Sequence, residues 1–214
     1  MESAVADSRA VSRILRDELH PYLKNIGFTK FKGGRAYRYD EGCVLGFTTA
    51  AVGNYFSQVT GYPTASFTAT AWAHYDCIPS FEQRPMNPKS AFLPKNSHFA
   101  IDLGVVSPAI KSIRKCRSEP EQERNDIWWV EPDGSNLAEI AQDLKAAVVA
   151  QATPWWDAML DAANALNVAA EMPSSPHRSF LMYFLAKSLN RADIEIENEE
   201  LVKNQRQPGV MRAV

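Results

Sequence analysis

The sequence predicts an α+β fold: an antiparallel sheet of about five or six strands with an N-terminal helix and a C-terminal run of helices packed on it. Three observations carry that expectation. Apolar residues near the start recur at three- and four-residue steps, those between about residues 28 and 105 alternate with period two among glycine turns, and helical spacing returns from about residue 136. Consecutive strands followed by consecutive helices mark segregated layers, whereas a parallel α/β sheet interleaves them. With 45% hydrophobic and 10% aromatic residues among 214, the chain has enough apolar surface to close a core, which excludes general disorder. One domain is expected over residues 1–207, with a frayed tail at 208–214.

The first helix places Val11, Ile14, Leu15, Leu19, Tyr22, Leu23 and Ile26 on one side, with Asp7 or Ser8 as N-cap and Gly27 as stop. Pro21 is expected to bend or break it near His20. Three short strands follow, separated by Gly33–Gly34 and by Asp40–Glu41–Gly42. From Thr64 to Tyr75, Phe67, Ala69, Ala71 and Ala73 alternate against Thr68, Thr70, Trp72 and His74, the pattern of a strand with two different faces. Residues 76–97 hold Pro79, Pro85, Pro88 and Pro94 and read as a long loop. HFAIDLGVV is a further long strand and IWWV at 127–130 a shorter one. Asn136 with Glu139 resembles a capping box opening a helix through Leu144 and Val148. Thr153–Pro154 opens a second helix bearing Trp156, Met159, Leu160, Ala163 and Leu166, and Ser175–Pro176 a third bearing Phe180, Leu181, Phe184 and Leu185. The ADIEIENEELVK segment beyond is acidic and weakly periodic.

Charge narrows the partners. With 23 basic against 25 acidic side chains the net charge is −2, so there is no bulk field to draw in a polyphosphate, and any nucleic-acid contact must be local. The charged N-terminal stretch lacks a secretory apolar run and nothing approaches the roughly 20 apolar residues that span a bilayer, so a cytoplasmic protein without a membrane role is expected. Cys43, Cys77 and Cys116 are odd in number, widely spaced and form no C-x-x-C pair, so reduced thiols are expected rather than a disulfide frame or a thiolate metal site.

Four segments stand out: Leu23–Lys24–Asn25–Ile26–Gly27–Phe28 followed by Lys30 and Arg38, Phe99–Ala100–Ile101–Asp102–Leu103–Gly104–Val105, Asp126–Ile127–Trp128–Trp129 and Ala152–Thr153–Pro154–Trp155–Trp156. In these segments and their order the chain resembles a bacterial family of uncharacterised domains numbered 4304. The likeness runs from about residue 8 to residue 165, and its motifs are chiefly glycine turns and aromatics. The chain departs from the family pattern at Gly46–Phe47–Thr48–Thr49. The resemblance implies an α+β fold and no activity.

Four side chains suggest chemistry. His74 and Asp76 share strand parity, as do His98 and Asp102, so neighbouring strands would converge two imidazoles and two carboxylates suited to a divalent metal or to general acid–base catalysis. The spacing matches no named metal motif, and strand-end His and Asp residues commonly satisfy turns. Cys77 beside His74 has the residue types of a nucleophile pair but no oxyanion-hole signature. Lys30, Lys32, Arg35 and Arg38 around Tyr37 and Tyr39, and Lys111, Arg114, Lys115 and Arg117 in SIRKCR, suit single-stranded nucleic acid. Protection of an edge strand, and the solvated face of a short basic helix, explain the same charges.

Aromatic residues point elsewhere. Trp72 lies on the Ser/Thr/His side of its strand, and with Arg35, Tyr37 and Tyr39 it forms the kind of set that anchors a protein interface or self-association patch. Burial of every ring beneath the C-terminal helices is the competing account. The leading expectation is therefore a non-catalytic, cytoplasmic, bacterial protein-binding protein, an immunity or regulatory factor in kind, with no cofactor and with an unidentified protein or a second copy as partner. A small metal-dependent hydrolase using His74, Asp76, His98 and Asp102 is the alternative, and nucleic-acid binding through the basic hairpin is the third.

Overall fold

A computed structural model describes residues 8–79, 97–108, 110, 112–116 and 119–205. The elements run α1 (Ser8–Asn25), β1 (Lys30–Lys32), β2 (Arg35–Asp40), β3 (Cys43–Ala51), α2 (Gly53–Thr60), β4 (Phe67–Tyr75), β5 (Phe99–Asp102), β6 (Ser112–Cys116), β7 (Glu119–Arg124), α3 (Leu137–Ala147), α4 (Thr153–Met159), α5 (Ala162–Glu171), α6 (Pro176–Ser188) and α7 (Ala192–Gln205). Strands β1 to β5 form an antiparallel sheet in sequence order, and β6–β7 is a separate hairpin. The fold is α+β: the N-terminal helix and the C-terminal helices pack on a five-stranded sheet.

The elements follow from local chemistry. α1 buries Val11, Leu15, Leu19 and Leu23 at four-residue steps. It ends in a Schellman arrangement, in which Phe28 N donates to Leu23 O and Gly27 N to Lys24 O, and Gly27 takes the left-handed φ of 96°. Arg38 closes the same end by donating to Ile26 O while pairing with Asp40. Of the bend or break expected at Pro21, the break does not occur, and α1 runs on to Asn25. Pro21 and Asp17 are both exposed, so the carbonyl that loses its partner lies on the solvent side.

From Leu137 to Met159 the backbone is helical throughout, with a π-helical turn at Val148–Ala152. Pro154 has no N–H to give the preceding turn, and just before it Thr153 donates both its N–H and its Oγ1 to Val148 O. Thr153 is thus not the free helix start that its pairing with proline suggested. The turn also aims Gln151 at Gly104, where its side-chain amide bonds both the backbone N–H (2.8 Å) and the carbonyl (2.9 Å). The expected helix through Leu166 divides at Leu160–Asp161, where Asp161 caps α5 by accepting from Ala163 N. Ser175 caps α6 as expected, accepting from Arg178 N.

Four further expectations need correction. Asn136 makes no capping bond; its side chain accepts from Glu131 N and donates to Trp129 O, stapling the preceding turn. IWWV forms only a bridge, Phe67 with Trp128, and HFAIDLGVV is a strand only over Phe99–Asp102 because the chain then turns toward Asn125 and Gln151. The short basic helix considered for SIRKCR is not found: its residues Ser112–Cys116 form β6, paired with the glutamate-rich β7. The 76–97 loop falls largely, and the 208–214 tail wholly, outside the described residues.

One core cluster extends from Val11 to Val202 and includes Leu45, Phe67, Trp128, Trp156 and Leu185. Two of its supports are polar. Asp143, buried on α3, accepts from Val106 N, Ser107 N and Trp128 Nε1, tying the segment after β5 to the helices. Tyr75 on β4 donates its hydroxyl to Met159 O at the end of α4.

Candidate functional site

Pleating sorts the candidate residues by face. Phe67, Ala69, Ala71, Ala73 and Tyr75 of β4 join the helix-covered core, while Thr68, Thr70, Trp72 and His74 take the opposite side. Register places Tyr37 across from Gly46, and Gly46 across from Trp72. Arg35, Tyr37, Tyr39, Trp72, His74 and Asp102 accordingly share the second face, as their parity implied.

That face is not the open aromatic patch the sequence suggested. Trp72 lies on Gly46, where an added Cβ would fall 1.9 Å from the indole, and its Nε1 donates to Thr48 Oγ1 at 3.1 Å. The ring has no exposed surface, and Tyr37 and Val44 form a buried cluster with it. Burial takes these rings because an indole flat on a glycine packs as densely as a core side chain. Tyr39 stays 47% exposed, Arg35 is half-buried, and the Lys30 ammonium sits over both tyrosines at 5.9 and 6.0 Å. Arg38 turns to the helix side and is held by Asp40 and Ile26, so the basic cluster of the first hairpin divides between two faces.

The His/Asp set assembles only by half. His74 and His98 stack with centroids 4.2 Å apart. His98 Nδ1 accepts the buried Tyr75 N–H at 2.9 Å, which fixes the neutral imidazole with its proton on Nε2. Burial, then His74 and His177, push His98 down to about 3. Asp102 lies four residues further along the strand, where it accepts from Thr70 Oγ1, and Asp76 is exposed in the turn after β4. Among the described residues, no three His, Cys, Asp or Glu side chains are grouped to hold a metal ion. Burial lifts the Cys77 thiol above its ordinary value, the reverse of an activated nucleophile.

A concave site that sequence reasoning missed lies on the helix side, between α1 and the first hairpin. The cavity measures about 150 Å³. Leu15, Leu19, Phe47 and Phe67 supply its apolar lining, Ser12, His20, Thr49 and Arg35, the last already a candidate from the sequence, its polar atoms, and none of its lining residues is acidic. Ser12, Arg16, His20 and Lys24 recur at four-residue steps along the adjoining flank of α1, and Arg13 is exposed beside them. His20 packs on Phe31 at 4.3 Å and the Lys24 ammonium lies 5.8 Å from the same ring. Burial, with Arg16 and Lys24, lowers the His20 pKa against the opposing pull of Asp17. The four-residue basic spacing was legible in the sequence; the cavity was not, because it depends on how far α1 stands from Gly33–Gly34.

Comparison with family models, with curated proteins and with solved structures finds no match. Among the described residues, no helix is long and apolar enough to cross a membrane.

Proposed function

We propose that this chain is a non-catalytic protein-binding protein, immunity or regulatory in kind, and that its contact surface is the basic flank of α1 together with the cavity beside it. One observation carries the reading: a recess of mixed apolar and polar lining, with His20 and Arg35 in its wall and no acidic residue, lies next to Arg16 and Lys24. A recess that takes one apolar anchor, surrounded by charge that selects and steers, is how many interfaces concentrate their energy. The test reverses two exposed charges, Arg16→Glu with Lys24→Glu, and compares what the two chains retain in pull-downs from the source cells. Loss of the bound protein is expected from a chain that still unfolds cooperatively, its melting temperature lowered a little by the lost Lys24–Phe31 contact. Retention of every bound protein by the reversed chain overturns the reading.

A second reading has its own support on the opposite face. Lys30 over Tyr37 and Tyr39, with Tyr39 half exposed, combines charge and a stacking ring as single-stranded nucleic acid requires. Salt-dependent retention on single-stranded DNA, abolished by Tyr39→Ala with Lys30→Ala, would favour it.

A further inference from the structure

The partner chemistry that suits this cavity is also carried by the chain itself. α7 turns Asn198 and Val202 inward, and Asn198 Nδ2 bonds Ile194 O. Its outer surface presents Asp193, Ile196, Glu197, Glu200 and Leu201, spaced i, i+3, i+4, i+7 and i+8 and therefore on one face. Ile196 is 72% and Leu201 51% exposed, two large apolar side chains set among carboxylates. α1 is its complement: Arg13, Arg16 and Lys24 are exposed along the helix, with Asp17 the opposing charge among them.

We infer that the outer face of α7 in one copy of this chain docks against the α1 flank of a second copy, with Ile196 or Leu201 entering the cavity between α1 and the first hairpin. This rests on the reading of that flank as a contact surface and names its occupant. A volume of about 150 Å³ is that of a benzene-sized guest, so the recess has room for one branched aliphatic side chain against Leu15, Leu19, Phe47 and Phe67. Glu197 and Glu200 then face Arg13 and Arg16. The two patches differ, so the contact is heterologous, and an open assembly keeps one free α7 face at one end and one free α1 flank at the other unless a ring closes.

Sedimentation velocity of the full chain at low salt tests this. The mass is expected to rise with concentration above the 23.9 kDa of one chain and to return to it at about 0.5 M salt, where screening acts over only a few ångströms. Arg13→Glu with Arg16→Glu, and separately Glu197→Lys with Glu200→Lys, each hold the chain at one copy. Mixing the two reversed chains restores association, because each then offers the charge the other lacks. A constant single-chain mass at low salt overturns the inference, as does association that persists in both reversed chains. Failure here leaves the protein-binding reading standing if Arg16→Glu with Lys24→Glu still loses its cellular partner, and removes both if it does not.

Discussion

The two faces of the sheet solve the same packing problem in opposite ways. On the helix side, β4 supplies Ala69, Ala71 and Ala73, small side chains that let the helices approach, and the large rings come from the partners, Trp156 on α4 and Phe28 after α1, 4.8 Å apart. On the other side the sheet supplies the ring itself, Trp72, and makes room for it with Gly46 on the neighbouring strand. The first arrangement depends on many contributors and fails by leaving a void. The second depends on one pair and fails by overfilling.

Substitutions separate these modes of failure. Trp156→Ala should have the largest effect, a loss of about 3–5 kcal/mol from a void among Phe28 and its neighbours. Urea unfolding measures it, and a loss under 1 kcal/mol would mean the helices collapse onto the gap. The pH dependence comes next. The folded pKa of His98 lies near 3, below the ordinary 6.5, so above pH 6.5 the group contributes no pH dependence. As pH falls from 6.5 toward 3, the unfolded chain takes up a proton that the folded chain refuses, and stability is lost by at most about 1.4 kcal/mol per pH unit. His98→Asn keeps an acceptor for the Tyr75 N–H and should flatten the urea midpoint between pH 6.5 and 5, a window above most carboxylate titrations. On the open face, Gly46→Ala should cost about 1–3 kcal/mol and shift the tryptophan fluorescence, because the indole must leave Thr48. An unchanged spectrum would show that the sheet yields rather than the ring.

The same contrast explains what the sequence made legible. Period two placed Trp72 and His74 on one face of their strand, apart from Ala69, Ala71 and Ala73, because pleating is a local rule, and Arg35, Tyr37 and Tyr39 share that face by register. Their exposure depended on whether Gly46 stood opposite Trp72, a matter of strand register that no local pattern reports. The stop at Gly27 and the cap at Ser175 follow from short-range bonding and appeared where expected. At Asn136 the helix begins where expected but without the capping bond, and at Thr153 the helix is already under way, since both side chains found other partners: Thr153 with Tyr22, Asn136 with Glu131 and Trp129. Asp143 gave no signal at all, because a lone Asp inside a helix looks solvated until three distant donors are brought to it.

The smallest effect tests the turn that divides the tryptophan pair. Trp128 stacks on Phe67 in the core, whereas Trp129 meets Tyr62, so the backbone between them must hold a fixed direction. Asn136 supplies that constraint by accepting from Glu131 N at 2.9 Å and donating to Trp129 O at 2.9 Å. A helix cap and a turn staple respond differently to serine. Serine is as good an N-cap as asparagine, so Asn136→Ser would be nearly neutral if capping were the role. It is too short to span both turn groups, so a staple predicts that Asn136→Ser and Asn136→Ala each lose about 1 kcal/mol in urea unfolding. A neutral serine variant beside a costly alanine one would return Asn136 to the cap that its spacing from Glu139 suggested.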